Sequence, residues 1–280
     1  MALQKRYLIK YVRTKFALLS AVSRRKAAKA AFHLFCTPQY KNTKPLPASF
    51  EKSEKLEFRL ENDIIRGYRW NHPASKKILI LHGFESSVVN FDRYVTPLIK
   101  KGYEVLAFDA PAHGKSTGKE VNVLMYKNMI QKIYADYGPI DAFLSHSFGG
   151  LAVSLFLENL PHNENIKVVL IAPAMETKTA ADHFFKLLNL DEGVRKEFDN
   201  YLTGLGGNGP EWYSILRASQ HIKSQVLFLQ DKHDEMTPMS DVKPLMDKNY
   251  PNFQFIISEG LGHRRIYRDN NSVKVILEFL

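Results

Sequence analysis

Residues 142–153 read Ala142-Phe143-Leu144-Ser145-His146-Ser147-Phe148-Gly149-Gly150-Leu151-Ala152-Val153. A short apolar run with strand character ends at Leu144, and a helix-compatible run starts just after Ser147, so a small-x-Ser-x-Gly pattern lies on a strand-to-helix turn. A turn this sharp tolerates only small residues two places before and two places after the serine, which Ser145 and Gly149 satisfy. Ser147 is then expected to stand above the sheet with its hydroxyl exposed. The following helix directs backbone N–H groups and its positive dipole end toward negative charge developing there.

Outward from this turn the chain alternates strands and helices. Residues 56–60 and 64–70 alternate apolar and polar like an antiparallel pair, with a turn at Asn62-Asp63. Dense apolar runs follow at 78–81, 105–108, 142–144, 168–171, 226–229 and 253–257, as in strands covered on both faces. Helix-length segments lie between most of them, at 90–101, 121–137, 149–160 and 241–249. The pattern predicts an α/β fold, a mostly parallel eight-stranded sheet with helices on both faces. About fifty residues separate the runs around 171 and 226, with glycines at 204, 206, 207 and 209. So long a connection in a compact domain suggests a purpose. Residues 176–224 are read as a small helical cap, with Phe184 and Phe185 toward a substrate cleft; an insertion that merely covers one end of the sheet is the alternative.

The turn around Ser147 resembles the nucleophile elbow of the α/β-hydrolase family, and nearly every landmark from residue 55 to 280 matches; Ser145 stands where such enzymes most often have Gly. An alcohol is a poor nucleophile near neutral pH and needs a base within hydrogen-bond reach, itself oriented by a third group. In this family the order is Ser, acid, His. Asp231-Lys232-His233-Asp234-Glu235-Met236-Thr237-Pro238 resembles the acid loop, in which an Asp precedes a Pro by four positions. That selects Asp234, with Asp231 and Glu235 as rivals. Gly260-Leu261-Gly262-His263 places a glycine-flanked His after the last strand, where the family has its base; His233, on the acid loop, is the competitor.

His82-Gly83-Phe84 resembles the family's oxyanion loop, which implies the backbone N–H groups of Phe84 and Phe148 as donors. Phe84, His146, Phe184 and Phe185 are the expected substrate contacts. Asp109-Ala110-Pro111-Ala112-His113-Gly114-Lys115-Ser116 is similar to a structural loop of the family, with Ala112 in place of a Gly, and His113 is assigned no chemistry.

Composition fits a globular chain of 280 residues, 45% hydrophobic and 24% charged. Its formal net charge of +10 is unevenly placed: residues 1–50 hold eleven Lys and Arg and no Asp or Glu, leaving 28 basic against 29 acidic side chains in the remainder. The division expected is a basic helical arm and linker at 1–50 and an α/β-hydrolase domain at 51–280, with the cap inserted at 176–224. In the arm, Leu8, Val12, Phe16, Leu19 and Val22 recur on one helical face, with Lys5, Arg6, Lys10 and Arg13 around it. That stripe either packs on the body or docks residues 5–29 peripherally on an anionic membrane surface. A second helix is expected at 26–35, and the Pro-bearing stretch 38–47 reads as a linker.

No apolar run reaches about 18 residues, so no spanning helix is expected. The short run 16–22 is followed at once by Arg24, Arg25 and Lys26, which argues against a signal peptide. The single cysteine, Cys36, cannot form an internal disulfide, and a cytoplasmic setting follows as the expectation. No metal, phosphate-loop or dinucleotide motif is present, so no cofactor is expected, and the neutral body argues against a nucleic-acid partner.

Together these features imply a serine hydrolase acting on a small-molecule ester through an acyl-enzyme on Ser147, like carboxylesterases and lipases. Thioester, amide or carbon–carbon bond cleavage by the same residues is the nearest alternative. A non-catalytic membrane-surface protein on a hydrolase scaffold is the alternative from a different class.

Overall fold

The computed structural model describes residues 2–41 and 45–280, with side chains from Tyr7 onward. Lys5 and Arg6 of the expected basic face, and residues 42–44 of the expected linker, lie outside that description as far as their side chains and course are concerned. Two compact units form: one joins the chain up to Thr37 with Glu176–Tyr213, the other comprises Pro38–Met175 and Ser214–Leu280.

The larger unit holds one sheet of β1 (Glu54–Leu60), β2 (Asp63–Trp70), β3 (Lys76–Leu81), β4 (Tyr103–Phe108), β5 (Ala142–His146), β6 (Lys167–Ile171), β7 (Gln225–Asp231) and β8 (Phe253–Ser258). Their spatial order is β1-β2-β4-β3-β5-β6-β7-β8. Only the pairings of β2 with β1 and β4 are antiparallel; all others are parallel. The hairpin turn is Glu61-Asn62, since Leu60 pairs with Asp63, and Glu61 takes the positive φ of 52°. It therefore sits one residue earlier than the sequence suggested.

From β3 the chain moves to one side to form β4 and then to the other side to form β5. A crevice opens at the carboxyl ends of strands where order reverses in this way, and ligands of open α/β sheets collect there. Ile78–Leu81, all of β4 and Ala142–Leu144 are buried, as strands packed on both faces by helices must be.

In chain order the helices are α1 (Ala2–Val22), α2 (Arg24–Cys36), α3 (Ala48–Glu51), α4 (Asp92–Lys100), α5 (Val123–Tyr137), α6 (Phe148–Leu157), α7 (Thr177–Leu188), α8 (Glu192–Gly206), α9 (Ile215–Ala218), α10 (Met239–Met246), α11 (Gly262–Arg265) and α12 (Asn270–Phe279). α6 is buried on nearly every side, which matches its apolar sequence. The helix expected from residue 90 instead begins as a 3₁₀ turn at Val88–Phe91 and becomes α4 at Asp92.

The smaller unit consists of α1, α2, α7 and α8 with the 3₁₀ turn Pro210–Trp212. Its core is aromatic: Phe198 packs against Phe32, Phe35 and Phe185, and Phe35 also meets Phe184 edge-on. The arm and the insertion, separate features in the sequence, thus share one core, and the insertion's last residues, from Ser214, belong to the sheet-bearing unit. Of the apolar stripe expected in α1, Phe16 is buried and Val12 and Leu19 half-buried, whereas Leu8 and Val22 are exposed.

Candidate active site

Ser147 sits between β5 and α6 with φ 52° and ψ −119°, a strained backbone that only a tightly held turn maintains. The smallness of its neighbours has a direct cause. A Cβ on Gly149 would come within 2.8 Å of the His82 carbonyl oxygen and 2.9 Å of that of Leu81. Ser145 is accommodated where glycine is usual because its buried hydroxyl donates to the Val169 carbonyl, 2.8 Å away in neighbouring β6.

His263 Nε2 accepts from the Ser147 hydroxyl at 3.0 Å, and its Nδ1–H donates to Asp234 Oδ2 at 2.7 Å. Three side chains from loops far apart in sequence therefore connect in series, all of them buried. Asp234 Oδ1 accepts the backbone N–H groups of Met236 and Thr237, and Oδ2 also accepts the Thr237 hydroxyl at 2.7 Å. Burial by itself would raise the Asp234 carboxyl, but the bonds from His263 and Thr237 outweigh it and hold its pKa below the usual carboxylate value.

The rivals for the acid position are placed elsewhere. Asp231 ends β7 and accepts the Leu261 N–H at 2.9 Å, the Ser258 hydroxyl at 2.8 Å and the His233 N–H at 3.0 Å. Burial opposes its charge, yet these bonds bring its pKa down to about 2. It fastens the loop that carries His263. Glu235 is exposed, and His233, also exposed, faces Glu259.

The loop after β3 runs directly beside Ser147, for a Cβ added to Gly83 would lie 2.9 Å from the Ser147 Cβ. Among the described residues neither the Phe84 nor the Phe148 N–H donates a hydrogen bond within the protein, so both can serve a ligand. The two rings meet edge-on, with centroids 6.0 Å apart.

His82 and His113 hold this loop. His82 Nδ1–H donates to the Gly83 carbonyl at 2.8 Å while its Nε2 accepts the Ala110 N–H at 2.9 Å. His113 Nδ1–H donates to the Pro111 carbonyl, and its Nε2 accepts the Glu85 N–H, both at 2.9 Å. Each ring can make both bonds only when neutral. Burial lowers His82 to about 4; burial, then the neighbouring His82, lowers His113 to about 3.

Two expected substrate contacts are buried among protein side chains. His146 is buried, its Nε2–H donating to the His263 carbonyl at 2.9 Å and its ring packed between His263 and Tyr267. It supports the base from below because its strand position turns it into the core. Phe185 is also buried, against Phe198 with the Arg195 guanidinium over its ring. Phe184 is half-buried between Phe35 and Phe185, and Phe84 half-buried beside Phe148 and His113.

Sequence reasoning missed Thr237 and Gln230, whose Nε2 donates to the Thr237 carbonyl at 2.6 Å and so anchors the acid loop. The only available signal was their place at the end of β7 and beside the acid. Among the described residues no three His, Cys, Asp or Glu side chains cluster as metal ligands would.

A family model described as serine aminopeptidase, S33, matches residues 72–193. An uncharacterised protein of Bacillus subtilis, YqkD, is 25% identical over 266 residues, covering 83% of this chain and 81% of its own. A 2-hydroxy-6-oxononadienedioate/2-hydroxy-6-oxononatrienedioate hydrolase of Escherichia coli is 22% identical over 214 residues, 59% of this chain and 73% of the relative. The esterase Pf2001 of Pyrococcus furiosus superposes with a TM-score of 0.66 at 21% identity, covering 87% of this chain and 98% of that one. That likeness carries the fold, which is the α/β-hydrolase fold.

Proposed function

We propose that this α/β-hydrolase is a serine hydrolase of carboxylic esters. One observation carries the reading: the buried series Ser147–His263–Asp234, at 3.0 and 2.7 Å, beside two backbone N–H groups without protein acceptors among the described residues. In the reaction Ser147 Oγ attacks the ester carbonyl as His263 Nε2 takes its proton, and Asp234 stabilises the imidazolium. The carbonyl oxygen, now negative, is held by the N–H groups of Phe84 and Phe148. A single such donor contributes on the order of 3 kcal/mol to the transition state. Collapse expels the alcohol, which receives the proton from His263, and water, activated by the same imidazole, releases the acid from Ser147.

The test is labelling by a fluorophosphonate probe of wild type and Ser147→Ala, alongside a panel of esters and thioesters graded by acyl length. Labelling and ester turnover that both vanish in Ser147→Ala are expected. Folded wild type that neither labels nor turns over any ester defeats the reading. Hydrolysis of a 2-hydroxy-6-oxo dicarboxylate, the substrate in the name of the Escherichia coli relative, is the second reading, and one such compound belongs in the panel.

A further inference from the structure

The strongest feature outside the site is the outer face of α1. Tyr7, Leu8, Tyr11, Leu18 and Val22 are between 59% and 79% exposed, an unusual concentration for one helix. At roughly 100° per residue, Tyr7, Leu18, Tyr11 and Val22 fall within about 60° of arc, so they form a continuous stripe. Exposed Lys10 and Lys15 flank it, one on each side.

The opposite face is already committed. Phe16 is buried, the Arg13 guanidinium donates to the Leu187 carbonyl at 2.7 and 3.0 Å, and Ser20 donates to Asp191 at 2.9 Å. Packing within the smaller unit therefore fixes which side of α1 points outward, and that side is apolar. It differs from the stripe read off the sequence: Tyr7, Tyr11 and Leu18 replace Val12, Phe16 and Leu19.

The charge around the stripe indicates what covers it. Residues 1–50 hold eleven basic and no acidic side chains. Exposed Lys10, Lys15, Arg25, Lys26 and Lys29 pair with no acidic group among the described residues. An apolar stripe bordered by unpaired cations matches a surface that offers hydrocarbon beneath anionic headgroups, where tyrosine places its ring in the apolar layer and its hydroxyl at the polar boundary. No helix among the described residues is long and apolar enough to cross a membrane, so the geometry is that of a helix lying in the interface. We infer that α1 docks the chain peripherally on an anionic lipid bilayer through Tyr7, Tyr11, Leu18 and Val22, with Lys10 and Lys15 on the headgroups.

The full chain is tested by co-sedimentation with phosphatidylglycerol-containing and pure phosphatidylcholine vesicles at low and high salt. Wild type is expected to bind the anionic vesicles about tenfold more strongly than the neutral ones, and more weakly as salt rises. Tyr11→Ser/Leu18→Ser should lose about tenfold in binding while keeping its thermal midpoint and its fluorophosphonate labelling. Equal binding to both vesicle types, or a variant that binds like wild type, overturns the inference. So does sedimentation showing a wild-type dimer that the same variant dissolves without vesicles, which would assign the stripe to a second copy of the chain.

Discussion

Asp234 Oδ2 serves two donors at once, the His263 Nδ1–H and the Thr237 hydroxyl, each at 2.7 Å. The hydroxyl lies 3.4 Å from Nδ1, against 2.7 Å for the carboxylate, which is therefore the stronger partner. Its effect is on direction: with Oδ1 fixed by two backbone N–H groups, the Thr237 bond sets the rotation of the carboxylate and hence the plane in which the imidazole sits. Thr237→Val keeps the shape and removes that bond, and its kcat on a soluble ester should fall about tenfold with KM little changed, the loss of roughly one hydrogen bond's worth of transition-state orientation. Asp234→Asn should cost far more, on the order of 10³- to 10⁴-fold, because the wrong imidazole tautomer is then favoured. A Thr237→Val enzyme with wild-type kcat would show that the backbone donors alone suffice.

At the scale of elements, two strand-to-loop connections meet at the point where strand order reverses, and the loop after β3 is held by two buried histidines that bond its backbone. Fixing the Gly83 carbonyl against His82 Nδ1–H turns the next N–H, that of Phe84, to the opposite side of a planar peptide. Gly83→Ala tests this rigidity, since its Cβ would meet the Ser147 Cβ at 2.9 Å and the His146 Nδ1 at 3.0 Å, and neither neighbour is free to move. Displacing the donor should lower kcat on the order of 10²-fold and slow fluorophosphonate labelling in parallel, with the fold retained in circular dichroism. Wild-type labelling kinetics in that variant would mean that the loop yields. The elbow, the acid loop and the glycine-flanked His263 were legible in the sequence because each depends on a local pattern: small residues at a sharp turn, a proline after an acid, an imidazole after a strand. His82, His113, Thr237 and the true place of His146 were not, because their roles rest on which backbone groups lie across a loop, as with the 28 residues separating His82 from Ala110. Six strands were readable from apolar density and the first two from alternation, whereas the shared core of arm and insertion depends on pairs such as Phe32 with Phe198, which no periodicity reports.

Over the whole molecule, three imidazoles are kept neutral inside the fold: His82 at about 4, His113 at about 3 and His146 at about 3, in each case chiefly by burial. An unfolded histidine titrates near 6.5. As pH falls below that value the unfolded chain takes up protons that the native chain refuses until about pH 4 or lower, so stability declines throughout this interval. Each histidine should withdraw roughly 1.5 kcal/mol between pH 6.5 and 5, from 1.36 kcal/mol per pKa unit. The carboxylates act in a different window: Asp231, lowered to about 2, contributes its full stabilisation above its unfolded value and loses it only as pH drops through that lower range. Acid weakening of this protein should therefore begin near pH 6.5 and be histidine-driven, long before the buried acids protonate. Urea denaturation followed by tryptophan fluorescence at pH 7, 6 and 5 measures it, with the midpoint expected to fall at each step. His146→Phe, which keeps a ring against Tyr267 and has nothing to protonate, should remove about a third of that slope. A midpoint independent of pH between 7 and 5 would mean that these rings are charged or solvated in the native state, contrary to the single neutral tautomers that the paired hydrogen bonds of His82 and His113 require.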